Sequence, residues 1–238
     1  QFPTGVELSA GRRAALAAWA EANDGWVIEN GYESEISLDR AQPQTLFGAA
    51  SDRVIYVNSF HRVLFPGLRI GYAVVPESLV APIAAARAFI DGHSNVANQM
   101  VLQDFIAGGH LDDHIRTCRA VYRERRECLV NALNGPLAEV LALQPGGGGS
   151  HLVAAVRGRQ DARDVCRAAA AHGVDITPMS QCMAPDQADP RVLLGFAAFK
   201  PPAIRSACRR LLTMFQESGG PRDSVRSWPE HGLAQALA

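Results

Sequence analysis

With 238 residues, 47% of them hydrophobic and 20% charged, the chain has the length and composition of a globular protein able to bury one or two cores. A formal net charge of -1 excludes a global attraction to nucleic acid or to an anionic membrane, and no apolar run approaches the roughly 20 residues that a bilayer-spanning helix needs. Five cysteines (Cys118, Cys128, Cys166, Cys182 and Cys208) without a Cys-x-x-Cys pair read as reduced thiols of a cytoplasmic protein, and a start at Gln1 reads as a piece of something longer.

Between Ser9 and Ala22, alanines, Leu16 and Trp19 recur at helical spacing with Ser9 placed as the cap, which predicts an amphipathic helix. Trp26-Val27-Ile28-Glu29 and Val54-Ile55-Tyr56-Val57 are short apolar runs that end in polar residues, the pattern of buried parallel strands whose C-terminal ends carry a site. Arg69 to Val75 reads as a third strand, completing an α/β layer. From Glu77 the pattern turns helical. After Gly108-Gly109 a long helix is expected from His110 to about Leu133, bridging two lobes and stopping at Asn134-Gly135-Pro136. A small α+β domain follows: a strand near Leu141, a turn from Gly146 to Gly149, a strand from His151 to Val156, a helix from Ala162 to His172 closed by Gly173, strands near Ile176 and from Val192 to Ala197, and a helix from Pro202 to Gln216. Glu217 to Ala238 reads as a loose tail.

Lys200 is the only lysine, and it is missing from the one segment that most suggests one. Tyr56-Val57-Asn58-Ser59-Phe60-His61-Arg62, followed by Pro66-Gly67-Leu68-Arg69-Ile70-Gly71-Tyr72, resembles the cofactor-lysine segment of fold-type-I pyridoxal-phosphate proteins, with Arg62 where the lysine belongs. A guanidinium stays protonated and cannot become the neutral amine that forms a Schiff base. Together with Gln1-Phe2-Pro3-Thr4-Gly5-Val6, Ile28-Glu29-Asn30-Gly31-Tyr32-Glu33-Ser34-Glu35, Gly109-His110-Leu111-Asp112-Asp113-His114 and Tyr122-Arg123-Glu124-Arg125-Arg126, this segment resembles the aminotransferase-like domain of MocR-type transcription regulators of the GntR family. The likeness continues through Gly149-Ser150-His151 and Leu194-Gly195-Phe196-Ala197.

The resemblance implies an α/β, fold-type-I transferase-like architecture. Residues 1–110 would form the C-terminal part of an N-terminally incomplete large domain, 111–216 the bridging helix and small α+β domain, and 217–238 a tail. It further implies a homodimer, and DNA binding only through a winged helix-turn-helix upstream of Gln1. Carried across by residue, the partner of the cofactor's ring nitrogen is Asn30, a neutral amide where a carboxylate would keep that nitrogen protonated. The arginine that grips a substrate carboxylate is Leu193, with Arg191 nearby on the same strand face at another depth. Ser59 and Arg69 match residues that contact the cofactor phosphate, and Tyr32 matches the one that bonds the ring hydroxyl. A hydroxyl and a fork-shaped guanidinium suit a phosphate, with Arg62 as a further cation. The expectation is therefore a ligand-sensing or dimerisation domain without catalytic residues, binding a small anion, or pyridoxal phosphate without a covalent bond. The alternatives are an active or formerly active aminotransferase and a ligand-free scaffold or gene remnant.

Plainer readings stand beside these. Arg62 also reads as a solvated arginine that replaced an unneeded lysine. His61 is similar to the histidine base of sugar dehydratases of this fold, but the register and Asn30 oppose it. His110 and His114 have the spacing of a zinc pair with no third ligand. Arg116, Arg119, Arg123 and Arg126 alternate with acids and read as a salt-bridged helix surface. Gly146 to Gly149 lacks the Lys-Ser/Thr of a nucleotide loop.

Overall fold

The computed structural model describes residues 1–31, 33–38, 45–50, 52–90, 92, 94–146, 149–158, 160–184 and 187–218. Its contacts divide the chain into two units, one formed by Gln1–Phe2 and Glu7–Ala120, the other by Pro3–Val6 and Val121–Ala238.

In the first unit Ser9 caps helix α1 (Ala10–Ala22), its hydroxyl accepting from the Arg12 amide at 3.3 Å. Strands β1 (Val27–Asn30) and β2 (Val54–Ser59) pair in parallel, as their sequence predicts, and β3 (Gly71–Val74) joins β2 antiparallel, giving the order β1-β2-β3. A short helix that periodicity does not announce, α2 (Leu46–Ala49), is held by charge. The Glu29 carboxylate accepts from the amides of Leu46 at 2.8 Å and Phe47 at 3.0 Å, satisfying donors that a helix start leaves orphaned. Leu46, Ala50 and Val54 make the core there, packed by Leu16, Val27 and Phe47. The other face of the sheet is open, with Ile28 70% exposed. Helices α3 (Glu77–Ile90) and α4 (Val96–Ala107, capped by Asn95) follow. Helix α5 (His110–Asn134) begins in this unit. There the His114 Nε2 donates to the Val63 carbonyl at 2.8 Å and the His110 ring packs on Phe105, so each histidine has a local structural use. Of the arginine series, Arg116 pairs with Asp113 at 2.8 Å, but the Arg119 Nε donates instead to the Glu35 carbonyl at 2.7 Å.

The second unit is a four-stranded antiparallel sheet, ordered β4 (Leu141–Leu143), β5 (His151–Val156), β7 (Arg191–Gly195), β6 (Thr177–Pro178), with helices α6 (Ala162–Ala171) and α7 (Pro201–Glu217). Central strands β5 and β7 are buried along most of their length, around Leu152, Val192 and Phe196. Pro3 belongs here because its carbonyl accepts from the buried His151 Nε2 at 2.8 Å. Gly173 follows α6 with φ +69°, the left-handed conformation that closes a helix without a Cβ clash. The loose tail expected from Glu217 starts later, since Glu217 is the last residue of α7; Gly147, Gly148 and the residues from 219 onward lie outside the described residues.

Helices α6 and α7 are tied at their ends by His172. Its Nδ1 donates to the Ala168 carbonyl and its Nε2 to the Glu217 carboxylate, both at 3.0 Å. With acceptors at both ring nitrogens the doubly protonated form is favoured, and the pKa rises above that of an ordinary histidine, first through Ala168 and then through Glu217. A raised folded pKa stabilises below the unfolded value and fades as pH climbs through the folded one. Ring titration by NMR is expected to place the His172 midpoint above about 6.5, and Glu217→Gln to lower it; an unmoved midpoint in the variant would refute the contact.

Candidate functional site

Parallel pairing aligns the ends of β1 and β2, with Asn30 opposite Val57, so Asn30 and Ser59 finish at the same edge of the sheet. Lateral neighbours in a sheet share a face and residues two apart along a strand share it too, so Asn30, Val57 and Ser59 lie on one face. It is the face on which Ile28 stands exposed. Antiparallel β3 brings its start to that edge, with Gly71 opposite Ser59, and the Phe60 amide extends the pairing to the Ile70 carbonyl at 2.9 Å. Arg62 ends the 3-10 turn Phe60–Arg62 that leaves β2, and Arg69 closes the turn Pro66–Leu68 that enters β3. Four of the five residues singled out by the sequence are thus gathered at one sheet edge: Asn30, Ser59, Arg62 and Arg69. The fifth, Tyr32, lies outside the described residues.

Arg69 is the unusual member. Its backbone is left-handed, with φ +52° and ψ +35°, a region costly for a side chain with a Cβ. The flanking Gly67 and Gly71, which suggest tight backbone in the sequence, have ordinary φ values; the strain sits on the arginine itself. Its guanidinium is exposed and has no hydrogen bond or ion pair among the described residues.

On the opposite face lies a polar cluster that sequence reasoning missed. Asn58 donates to the Tyr56 hydroxyl at 3.0 Å and to the Glu35 carboxylate, and Tyr72, its partner across the β2–β3 ladder, stacks against Tyr56 with centroids 6.2 Å apart. Burial, reinforced by Tyr56 and Glu35, pushes the Tyr72 phenol up to about 12, so it remains a neutral hydroxyl at physiological pH. Gly31 is required by this cluster, since a Cβ there would fall 2.0 Å from the Tyr56 hydroxyl. The available signal was the period-2 spacing of polar Tyr56 and Asn58 inside an apolar strand.

Other sequence candidates are committed elsewhere. Leu193 is 7% exposed on β7, opposite Val153, and packs with Met179 and Met183. Arg191 is clamped by Asp189: Nε reaches the carboxylate at 2.9 and 3.1 Å and Nη2 at 2.6 Å, and this pairing lowers the Asp189 pKa. With its fork filled, Arg191 does not replace the anion grip absent from Leu193. Lys200 is the exposed cap residue of α7. Ser59 and Arg69 have the hydroxyl and guanidinium that would suit the phosphate of a pyridoxal-phosphate cofactor, whereas Arg62 is not an amine that could anchor it and Asn30 is not a carboxylate that could pair with its ring nitrogen.

No family model matches the chain. Among curated proteins it is similar to the HTH-type transcriptional regulator TauR of Rhodobacter capsulatus, 39% identical over 177 residues, covering 74% of this chain and 36% of TauR. It is also similar to the probable rhizopine catabolism regulatory protein MocR of Rhizobium meliloti, 30% identical over 234 residues, covering 96% of this chain and 48% of that protein. Among solved structures, a kynurenine aminotransferase of Pyrococcus horikoshii superposes with a TM-score of 0.81 at 26% identity, over 92% of this chain and 54% of the enzyme. The chain spans about half the length of the curated relatives it matches, and no helix among the described residues is long and apolar enough to cross a membrane.

Proposed function

Starting from a chain homologous to MocR- and TauR-type transcription regulators and built on the fold of pyridoxal-phosphate-dependent aminotransferases, we propose that it is the ligand-sensing and dimerisation domain of a cytoplasmic regulator, a pseudoenzyme that recognises a small anion without covalent chemistry. Residues 1–110 would be the C-terminal part of the large domain, and 111–216 the bridging helix with the small domain. The single observation that carries the reading is the sheet edge itself, where Arg69 stands exposed and unpaired among the described residues, close in the chain to Ser59 and to Arg62, the residue that the resemblance matches to the lysine. DNA would be engaged through another part of the regulator. Dimerisation is supported by apolar side chains left uncovered on α3 and α4, among them Phe89, Ile90, Val96 and Met100, with Phe89 92% exposed.

A charge-assisted pair to a fixed guanidinium contributes on the order of 2 kcal/mol, about thirtyfold in affinity. An exposed turn arginine contributes under about 1 kcal/mol, less than about fivefold. Calorimetry with inorganic phosphate and pyridoxal phosphate is therefore expected to show Arg69→Ala weakening both ligands about thirtyfold and Arg62→Ala far less. Equal losses would make Arg62 a primary ligand residue, and no binding by the parent would leave only the scaffold.

A further inference from the structure

Arg69 also lines a cleft of about 980 Å³ within the first unit. From the β3 side it is walled by Phe60, Arg69 and Tyr72, and from α4 by Gln99, Leu102 and Gln103. Its volume is at the upper end of the roughly 300–1,000 Å³ common for small-molecule sites. The lining divides by chemistry. Phe60 and Tyr72 lie against each other with ring centroids 5.1 Å apart and planes inclined by 38°, forming an aromatic platform, and Tyr72 remains 37% exposed. Leu102 supplies a buried apolar floor, and the two glutamine amides offer both donors and acceptors. Two cations line it: Arg87, which donates to the Ser94 hydroxyl, and Arg69, held in a left-handed backbone conformation that the surrounding turn must enforce. Strain of this kind concentrates where a side chain is aimed at a ligand.

We propose that the cleft binds a small aromatic acid, its carboxylate or phosphate on the Arg69 guanidinium and its ring against Phe60 and Tyr72. The inference rests on the reading of Arg69 as an anion-binding residue and adds selection for a ring. A guanidinium fork receives either anion, and an aromatic face packs obliquely on the paired rings.

Two matched probe pairs separate ring from charge: phenyl phosphate against inorganic phosphate, and benzoate against acetate, titrated calorimetrically into the full chain. In each pair the aromatic member is expected to bind several-fold to about tenfold more tightly, and the pair with the larger gain identifies the preferred anion. Phe60→Leu should erase the ring advantage while leaving inorganic phosphate unchanged. Arg69→Ala should weaken all four. Should Phe60→Leu not fold, Gln99→Trp, at an exposed position of α4, fills the cleft instead and should exclude phenyl phosphate and benzoate selectively. Equal affinity for ring-bearing and ring-free anions, or a ring advantage that survives Phe60→Leu or Gln99→Trp, overturns the proposal while the anion site stands. If no probe binds, the anion reading falls with it.

Discussion

Borohydride reduction after incubation with pyridoxal phosphate is expected to leave residue 62 unmodified, with no transamination of any amino acid by the parent chain. A guanidinium is not the neutral amine that attacks a cofactor aldehyde, so position 62 offers no Schiff-base nucleophile. Lys200, the only amine of its kind, caps α7 in the second unit and stands outside the motif. Arg62→Lys restores an amine in the 3-10 turn after β2 but is not expected to restore turnover. Asn30 at the end of β1 still offers an amide where protonation of the ring nitrogen needs a carboxylate. A stoichiometric adduct mapped by mass spectrometry to the parent chain, or turnover by the single variant, would refute the degenerate-site reading. The double change Arg62→Lys with Asn30→Asp is the sharper test, because both positions are exposed at the sheet edge and accept the new side chains without repacking.

Restoring the third lost group is expected to unfold rather than repair. Leu193 pairs with Val153 in the centre of the second sheet and packs with Met179, which is 1% exposed. Leu193→Arg would place a guanidinium among apolar neighbours, with the nearby carboxylate of Asp189 already engaged by Arg191. Burying an unpaired charge costs several kcal/mol even after relaxation, on the order of 3 or more, out of a total stability of about 5–15. Urea denaturation should show a large fall in the transition midpoint for Leu193→Arg, whereas the volume-conserving Leu193→Met should cost less than about 1.5 kcal/mol. Equal stability of the two variants would mean that position 193 still opens to solvent as a binding arginine requires.

Most elements of this chain were readable locally. The cap at Ser9, the apolar run from His151 to Val156 and the Gly173 closure all lie in sequence next to the backbone they organise, so periodicity and capping chemistry recover them to within a residue or two. Helix α2 escaped because its four residues show no period and its start is completed by Glu29, 17 residues before Leu46; the one local signal was the Thr45 cap, whose hydroxyl accepts from the Gly48 amide at 3.1 Å. Arg119 departs from the salt-bridged surface expected of it for a similar reason, its donor being used on the carbonyl of Glu35, distant in the chain.

What the sequence by itself determined is chemical identity: one lysine, Lys200, and an arginine, an amide and a leucine at Arg62, Asn30 and Leu193, which the resemblance matches to positions of charge or nucleophilicity. These facts need no coordinates, because the protonation of a guanidinium and the neutrality of an amide are properties of the side chain. Tertiary structure alone decided which of these groups meet and which remain available. Strand register brought Asn30, Ser59, Arg62 and Arg69 to one edge, left-handed backbone at Arg69 turned up where glycine was the natural guess, Asp189 filled the fork of Arg191, and packing enclosed Leu193. The reason is physical: pairing across strands and burial are set by residues distant in the chain, whose joint geometry no local pattern encodes.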